Sequence, residues 1–325
     1  MSRAHVPALV TIFALSTVLF VGLAQARTLR LGHAVNTVSH YQIGAEAMAS
    51  ELSRLSNGSL TIEIFPNRQL GDERALIEGA TLGLVDLAVS STGPLGNFAP
   101  DFLALDVPYV FADHQQVDAV LDGPLGQGFL DALADHGLLG LAFWENGFRH
   151  LTNSRKPVVV PGDLKGMRLR TMENRVHILA FETLGAIPQA LPWGETLAAL
   201  RQGALTAQEN PIAIIYAFKL GQLQRFLSLT GHVYSPAVVI CSPATWKSLS
   251  ENERDWLIRS ARHGAKTEKD YVRQEAGRQV MELEAEGMAV NEVDKAAFQQ
   301  ALAPMKKRLQ ADYPWLGKIE HALKP

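Results

Sequence analysis

The chain has 325 residues, 47% of them hydrophobic and 19% charged, with 30 Lys and Arg against 33 Asp and Glu. That balance excludes a disordered chain or a polyelectrolyte, and a formal net charge of −3 leaves no electrostatic footprint for nucleic acid. The single cysteine, Cys241, excludes an intramolecular disulfide and a thiolate metal cage and reads as a buried, small apolar side chain.

Residues 1–26 read as an export signal. Ser2-Arg3-Ala4-His5 is a short basic start, Val6 to Ala24 carries no charge, and Ala24-Gln25-Ala26 is a small-x-small cleavage site. The uncharged run approaches the length of a membrane anchor, but Pro7, Ser16, Thr17 and Gly22 dilute it. The expected mature protein is soluble, exported and begins at Arg27.

From there strands and helices alternate. Thr28–His33 reads as a strand, and His40–Leu55 as an amphipathic helix with Ile43, Ala47 and Leu52 on one side. Leu60–Phe65 is a strand. Asp72–Gly83 follows as a helix with Ala75, Leu76, Gly79 and Leu82 on one face, then Leu84–Ser90 as a buried strand. Helices are expected at His114–Leu121, capped by Asp113, and at Pro124–His136, before an apolar strand at Leu138–Trp144. A second set runs as strand Met167–Arg170, helix Arg175–Leu184, helix Pro192–Gln202, strand Ala204–Gln208 and helix Pro211–Leu220. Separate strands are expected at Phe226–Leu229 and Ala237–Cys241. This order predicts an α/β fold with largely parallel sheets, in two lobes joined by ordered strands rather than by a tether.

The longest element is a helix from Glu251 to about Glu286, opened by the capping box Ser250-Glu-Asn-Glu253 and ended at Gly287. Its length of about 54 Å exceeds one small domain, and its apolar spacing is not a sustained heptad, so it is expected to brace both lobes.

No zincin, nucleophile-elbow, Walker or EF-hand pattern occurs, and nothing calls for a cofactor. Two arginines stand at strand ends in apolar surroundings: Arg149, in Trp144-Glu-Asn-Gly-Phe-Arg149, and Arg170, in Lys165-Gly-Met-Arg-Leu-Arg170. A guanidinium fork holds a carboxylate bidentately, which makes Arg170, assisted by Arg149, a candidate anion clamp; the alternative is a surface salt bridge.

Gly147-Phe-Arg149, Asp163-Leu-Lys-Gly-Met-Arg-Leu-Arg170, Leu191-Pro-Trp193-Gly-Glu195, Gln208-Glu-Asn-Pro211 and Phe226-Leu-Ser-Leu-Thr230, in this order and spacing, resemble the solute-binding subunit of tripartite ATP-independent periplasmic (TRAP) transporters, the DctP family. Phe65-Pro66, Gln69-Leu-Gly-Asp-Glu73 and Gly83-Leu-Val-Asp86 extend the resemblance over essentially the whole mature chain. Asn146-Gly-Phe-Arg149, Leu151-Thr-Asn-Ser154 and Tyr234-Ser-Pro236 look most like members that bind sugar acids such as diketogulonate or hexuronates.

The resemblance implies a two-lobed periplasmic binding protein fold that closes on a ligand, lobe I being 27–147 with 236–275 and lobe II 148–235 with 276–325. It implies that Arg170 grips the substrate carboxylate, that Arg149 and Asn210 assist, and that Trp193 packs on the ligand. First-lobe contacts are expected from His33, from Glu73 or Asp72, and from Ser91 and Thr92; Tyr216 and Tyr234, near the second lobe and hinge, are further candidates. The partners implied are a small organic acid, a sugar acid or C4-dicarboxylate, and the small and large membrane subunits of the transporter. Two other readings stand beside it: a periplasmic enzyme acting on a sugar acid through His33 or Glu73, and a ligand-sensing protein that hands its closed form to a receptor.

Overall fold

The computed structural model describes residues 26–324. The expected export segment therefore lies outside the described residues except for Ala26. The first half comprises β1 (Arg27–His33), α1 (His40–Leu55), β2 (Leu60–Phe65), α2 (Glu73–Thr81), β3 (Leu87–Ser91) and a single turn, α3 (Thr92–Leu95). After a 3-10 turn at Pro100–Ala104 come α4 (His114–Leu121), α5 (Pro124–Ala132) and the long β4 (Leu139–Asn153). The second half holds β5 (Arg168–Thr171), α6 (Arg175–Thr183), β6 (Ile187–Ala190), α7 (Trp193–Arg201), β7 (Ala207–Pro211) and α8 (Ile212–Ala217). Then β8 (Phe226–Cys241) returns to the first half, followed by α9 (Pro243–Ser248), α10 (Glu251–Ala285), β9 (Ala289–Asn291), α11 (Lys295–Asp312) and α12 (Pro314–Ala322).

Among the described residues nine strands form one sheet, in the order β2-β1-β3-β8-β4-β7-β5-β6 with β9 beside β8. Its two ends are parallel, as expected for β-α-β units: β1 with β2 and β3, and β5 with β6 and β7. The centre is not. β3–β8, β8–β4 and β4–β7 pair antiparallel, because β4 and β8 each run through both halves in opposite directions.

The two strands expected at Phe226–Leu229 and Ala237–Cys241 are one 16-residue strand. Gly231 and Pro236, which look like breaks, sit at irregularities in the ladder with β4. The register jumps from Arg149↔Val233 to Leu151↔Ser228 around Gly231, whose φ is +51°, and shifts again beside Pro236 between Glu145 and Gly147. A proline lacks the N–H a regular ladder needs, so a bulge is where a central strand tolerates one.

The cores follow the faces of this sheet rather than the halves. On β8, Ala237, Val239 and Cys241 face one cluster and Val238 and Ile240 the other, the period-two alternation of a strand buried on both sides. One cluster takes in α2, α4, α5, α6, α11 and α12, and the opposite one α1, α8 and α10. In α1 the buried stripe is Tyr41, Gly44, Ala45, Met48 and Leu52; Leu52 is on it as expected, whereas Ile43 and Ala47 lie one position off it and are half-buried. In α2, Leu76, Ile77, Gly79 and Ala80 are buried, whereas Ala75 and Leu82 are exposed.

The 35-residue α10 has its expected capping box, Ser250 Oγ accepting from Glu253 N–H and Glu253 Oε2 from Ser250 N–H. It crosses α1 and β4 of the first half and packs on α8 and β9 of the second, as a brace would. At the α1 crossing a β-carbon on Gly264 would lie 2.7 Å from the Gly44 carbonyl and 2.8 Å from Trp144. The C-terminal end, placed in lobe II by the sequence reading, sends α12 back against Pro100–Ala104 of the first half, where Trp315 lies 4.1 Å from Phe129. Pro211 was expected to open α8 from inside; it closes β7 instead and serves as the N-cap.

Candidate functional site

A small cavity of about 30 Å³ lies where the two halves meet. Tyr41, Glu73 and Ser91 line it from the first half, and Arg170, Trp193 and Asn210 from the second. Asn146, on β4 between the halves, completes the polar lining.

Arg170 ends β5. Leu169 before it points into the core, so alternation turns the arginine to the opposite face. It is only 3% exposed. Its Nε and Nη2 donate to the Leu191 carbonyl at 3.0 and 2.7 Å, and its guanidinium lies 5.6 Å from the Trp193 ring centre. Burial pushes its pKa down to about 10, with the like charge of Arg149 adding to the effect and Glu209 and Glu73 opposing it. Among the described residues no carboxylate lies within ion-pair distance of Arg170. Arg168, two residues earlier on the same face, is exposed and donates to the Gly203 carbonyl.

Arg149 has no solvent exposure and is already neutralised. Its Nε and Nη2 reach both oxygens of Glu209; Nη2 also donates to the Glu209 carbonyl at 2.7 Å and to Asn210 Oδ1 at 3.2 Å. Only Nη1 lacks a partner. Burial alone would raise the Glu209 carboxyl, but Arg149, with His232 and His177 behind it, holds it well below the ordinary carboxylate range. Pairing of β4 with β7 sets Arg149 opposite Pro211 and so brings it to the Glu209-Asn210 pair.

Glu73 is the first residue of α2. Its Oε1 accepts from Ser91 N–H at 2.5 Å and from the hydroxyls of Ser91 and Ser90 at 2.8 and 3.4 Å. Burial raises its pKa against the pull of those Ser91 bonds.

Of the expected contacts, Arg170, Asn210, Trp193, Glu73 and Ser91 line the cavity, and Arg149 stands directly behind Asn210. His33, Thr92 and Asp72 do not line it. His33 Nε2 is bonded to Gln42 at 2.9 Å, and its ring sits edge-on behind Tyr41. Thr92 donates to Asp106 Oδ1 at 3.0 Å. Asp72 Oδ1 accepts from Gly194 N–H at 3.2 Å, joining the start of α2 to the start of α7 across the halves. Tyr216 is bonded to Glu282, and Tyr234 is packed between Phe111 and Phe148.

Tyr41, Asn146 and Met172 were not anticipated in the lining, nor Glu209 as the counterion of Arg149. Tyr41 was signalled by its own stripe, Tyr41-Gly44-Ala45-Met48, and Glu209 by its place between Gln208 and Asn210.

A larger groove of about 720 Å³ lies under α10, where Lys269 is paired with Asp122, Arg273 with Asp118 and Lys266 with Asp270. Among the described residues no group of His, Cys, Asp and Glu is arranged to hold a metal ion, and no helix is long and apolar enough to cross a membrane. The small cavity thus offers a buried, unpaired guanidinium, two amides and one acceptor carboxylate, which suits an anion bearing hydrogen-bond donors.

A family model described as bacterial extracellular solute-binding protein, family 7 (DctP), matches residues 31–312. A solute-binding protein of Verminephrobacter eiseniae is 39% identical over 291 residues, covering 89% of this chain and 87% of that one. The 2,3-diketo-L-gulonate-binding periplasmic protein YiaO of Escherichia coli is 34% identical over 278 residues, 85% of each chain. The solved structure of a TRAP periplasmic solute-binding protein from Polaromonas sp. JS666, bound to D-erythronate, matches with a TM-score of 0.89 and 37% identity over 92% of this chain and 99% of that one.

Proposed function

The chain belongs to the DctP family of bacterial extracellular solute-binding proteins, and from that premise we propose that it captures a small organic acid in the periplasm by clamping its carboxylate on Arg170. The observation that carries this reading is the charge state of the cavity. Glu209 cancels Arg149, whereas Arg170 is buried without a counterion, and a buried charge is tolerated best when an opposite charge joins it.

The Nε–Nη2 edge of Arg170 is spent on Leu191, so the carboxylate pairs with the rest of its fork, and Arg149 Nη1 adds a second donor. Asn146 and Asn210 border the same space, and Trp193 forms one wall. Glu73 accepts from a ligand hydroxyl. The halves, taken as 27–147 with 236–275 and 148–235 with 276–325, close over the ligand. Asp72 to Gly194 and Asn97 Nδ2 to the Glu173 carbonyl, at 2.6 Å, tie the closed form shut. The closed form then delivers its cargo to the small and large membrane subunits of a TRAP transporter. Sugar acids are the favoured class and C4-dicarboxylates the second, consistent with what YiaO and the Polaromonas protein are named for. Of the two acid/base residues of the enzyme reading, His33 lies behind Tyr41, and Glu73, which lines the cavity, already accepts from the Ser91 N–H and hydroxyl, which favours capture over turnover.

A thermal-shift screen of residues 27–325 against aldonates, hexuronates, keto-sugar acids, 2-oxoacids, C4-dicarboxylates and zwitterions tests the reading. A ligand at a thousandfold excess over Kd stabilises the native state by about 4 kcal/mol, a large shift in melting. One strong hit recovered chemically unchanged is expected. No hit among the acids sinks the carboxylate clamp, and a hit consumed on incubation moves the enzyme reading to first place.

A further inference from the structure

The cavity contains two buried donors that none of the described residues satisfies and that a carboxylate on Arg170 does not need. Tyr41 is 3% exposed, and its hydroxyl makes no hydrogen bond. Its ring is held by His40 at 4.5 Å between centres and by His33 edge-on at 6.4 Å, so the hydroxyl cannot swing away to find a partner. Burial, then the carboxylates of Glu73 and Glu268, keep the phenol protonated, while Arg149 pulls the other way. Trp193 is 6% exposed and lines the same space with its indole Nε1–H unpaired. That ring is fixed by Arg170 on one side and by Phe218, edge-on at 4.8 Å, on the other. Buried polar groups in native proteins are almost always bonded, and two exceptions beside one cavity mark where a ligand supplies the partners.

We propose that Tyr41 and Trp193 read the hydroxyl groups of the ligand, and that with Glu73 they select a monocarboxylate carrying vicinal hydroxyls over a dicarboxylate. The proposal rests on Arg170 receiving the carboxylate. The indole N–H only donates, the Glu73 carboxylate only accepts, and the phenol does either. Adjacent hydroxyls match all three, giving oxygen to Trp193 and Tyr41 and a proton to Glu73. A second carboxylate offers oxygens alone and sets a negative charge against Glu73. An unsubstituted alkyl acid leaves all three groups unmet, and an ammonium group serves Glu73 but gives the indole nothing to bond.

The test is titration calorimetry of residues 27–325, as wild type, Tyr41→Phe and Trp193→Phe. The probes are a hydroxylated acid, a dicarboxylate and an alkyl acid at each of two lengths: D-erythronate, succinate and butyrate, then galactonate, adipate and hexanoate. Wild type is expected to prefer the hydroxylated acid at one length by tenfold or more. Each variant is expected to weaken that acid about five- to twentyfold while changing the other two by less than twofold, a pattern that a mere packing defect does not give. Equal losses on all probes, or no loss on the hydroxylated acid, overturns the inference while binding that depends on Arg170 leaves the clamp standing. If none of the six binds wild type, the clamp and the inference fall together.

Discussion

Replacing Arg170 with methionine is expected to move stability and binding in opposite directions. Burial lowers the arginine from its ordinary 12.5 to about 10, so keeping it charged inside the unliganded protein at neutral pH costs about 3 kcal/mol. Methionine removes that charge while filling a similar volume, but it strips the Leu191 carbonyl of both its guanidinium bonds, at a cost of about 1–3 kcal/mol. Without ligand, the variant is thus expected to range from unchanged to about 2 kcal/mol more stable. At about 2–4 °C per kcal/mol, its melting temperature is expected to lie between that of wild type and several degrees above it. Binding is expected to fall by about 2–5 kcal/mol, roughly 30-fold to several thousandfold, because the ligand carboxylate enters a closed cavity without its partner. Calorimetric melting without ligand and titration with the best hydroxy acid measure the two sides separately. A variant that melts well below wild type makes Arg170 a structural residue. One that binds within threefold of wild type refutes the clamp.

Glu209→Gln is expected to lose about 3–5 kcal/mol of stability at neutral pH, because Arg149 is left buried with no counterion. Since the folded state holds the Glu209 carboxyl below its unfolded value, its contribution is complete above the ordinary carboxylate range and is lost as pH falls through the lower folded value. The gap between variant and wild type should therefore persist at about pH 5 and narrow only in stronger acid; melting curves that already coincide at pH 5 contradict the assignment. Gly264→Ala is expected to cost about 1–3 kcal/mol, because its β-carbon has backbone 2.7 Å away. Gly277→Ala, on the same helix with nothing within 4 Å, is expected to gain up to about 1 kcal/mol, and equal shifts in the two melts would refute the close crossing of α1 and α10.

Elements with a local punctuation mark were readable from the sequence. Asp113 caps α4 by accepting from Gln116 N–H, Ser250 and Glu253 form their reciprocal pair, and the bounds expected for α1 match those observed. What local pattern could not convey was the environment on the far side of a strand. Gly231 and Pro236 read as breaks because their ladder irregularities exist only in the presence of β4, more than 80 residues earlier. The expected face of α1 was one residue off at Ile43 and Ala47 because Gly44 is buried for closeness to α10 and Trp144, not for apolarity. The same limit governs the cavity. Arg170 and Trp193 were recognisable by the company they keep along the chain, but Tyr41 shares the cavity with them only after α1 has docked. His33 looked like a contact because it ends β1, yet the tyrosine eight residues on stands in front of it.

β4 and β8 each run through both halves, and both apolar clusters extend the length of the sheet. The molecule therefore has no seam at which it could be divided. A recombination event at the waist severs two strands and both cores at once, so halves from relatives with different ligands do not interchange as modules. Change of ligand in such a scaffold has to proceed by replacing side chains in place, at a position such as Met172, which borders the cavity and lies outside the strands. An engineer who wants a new specificity inherits the same constraint: mutate the lining and leave the frame whole.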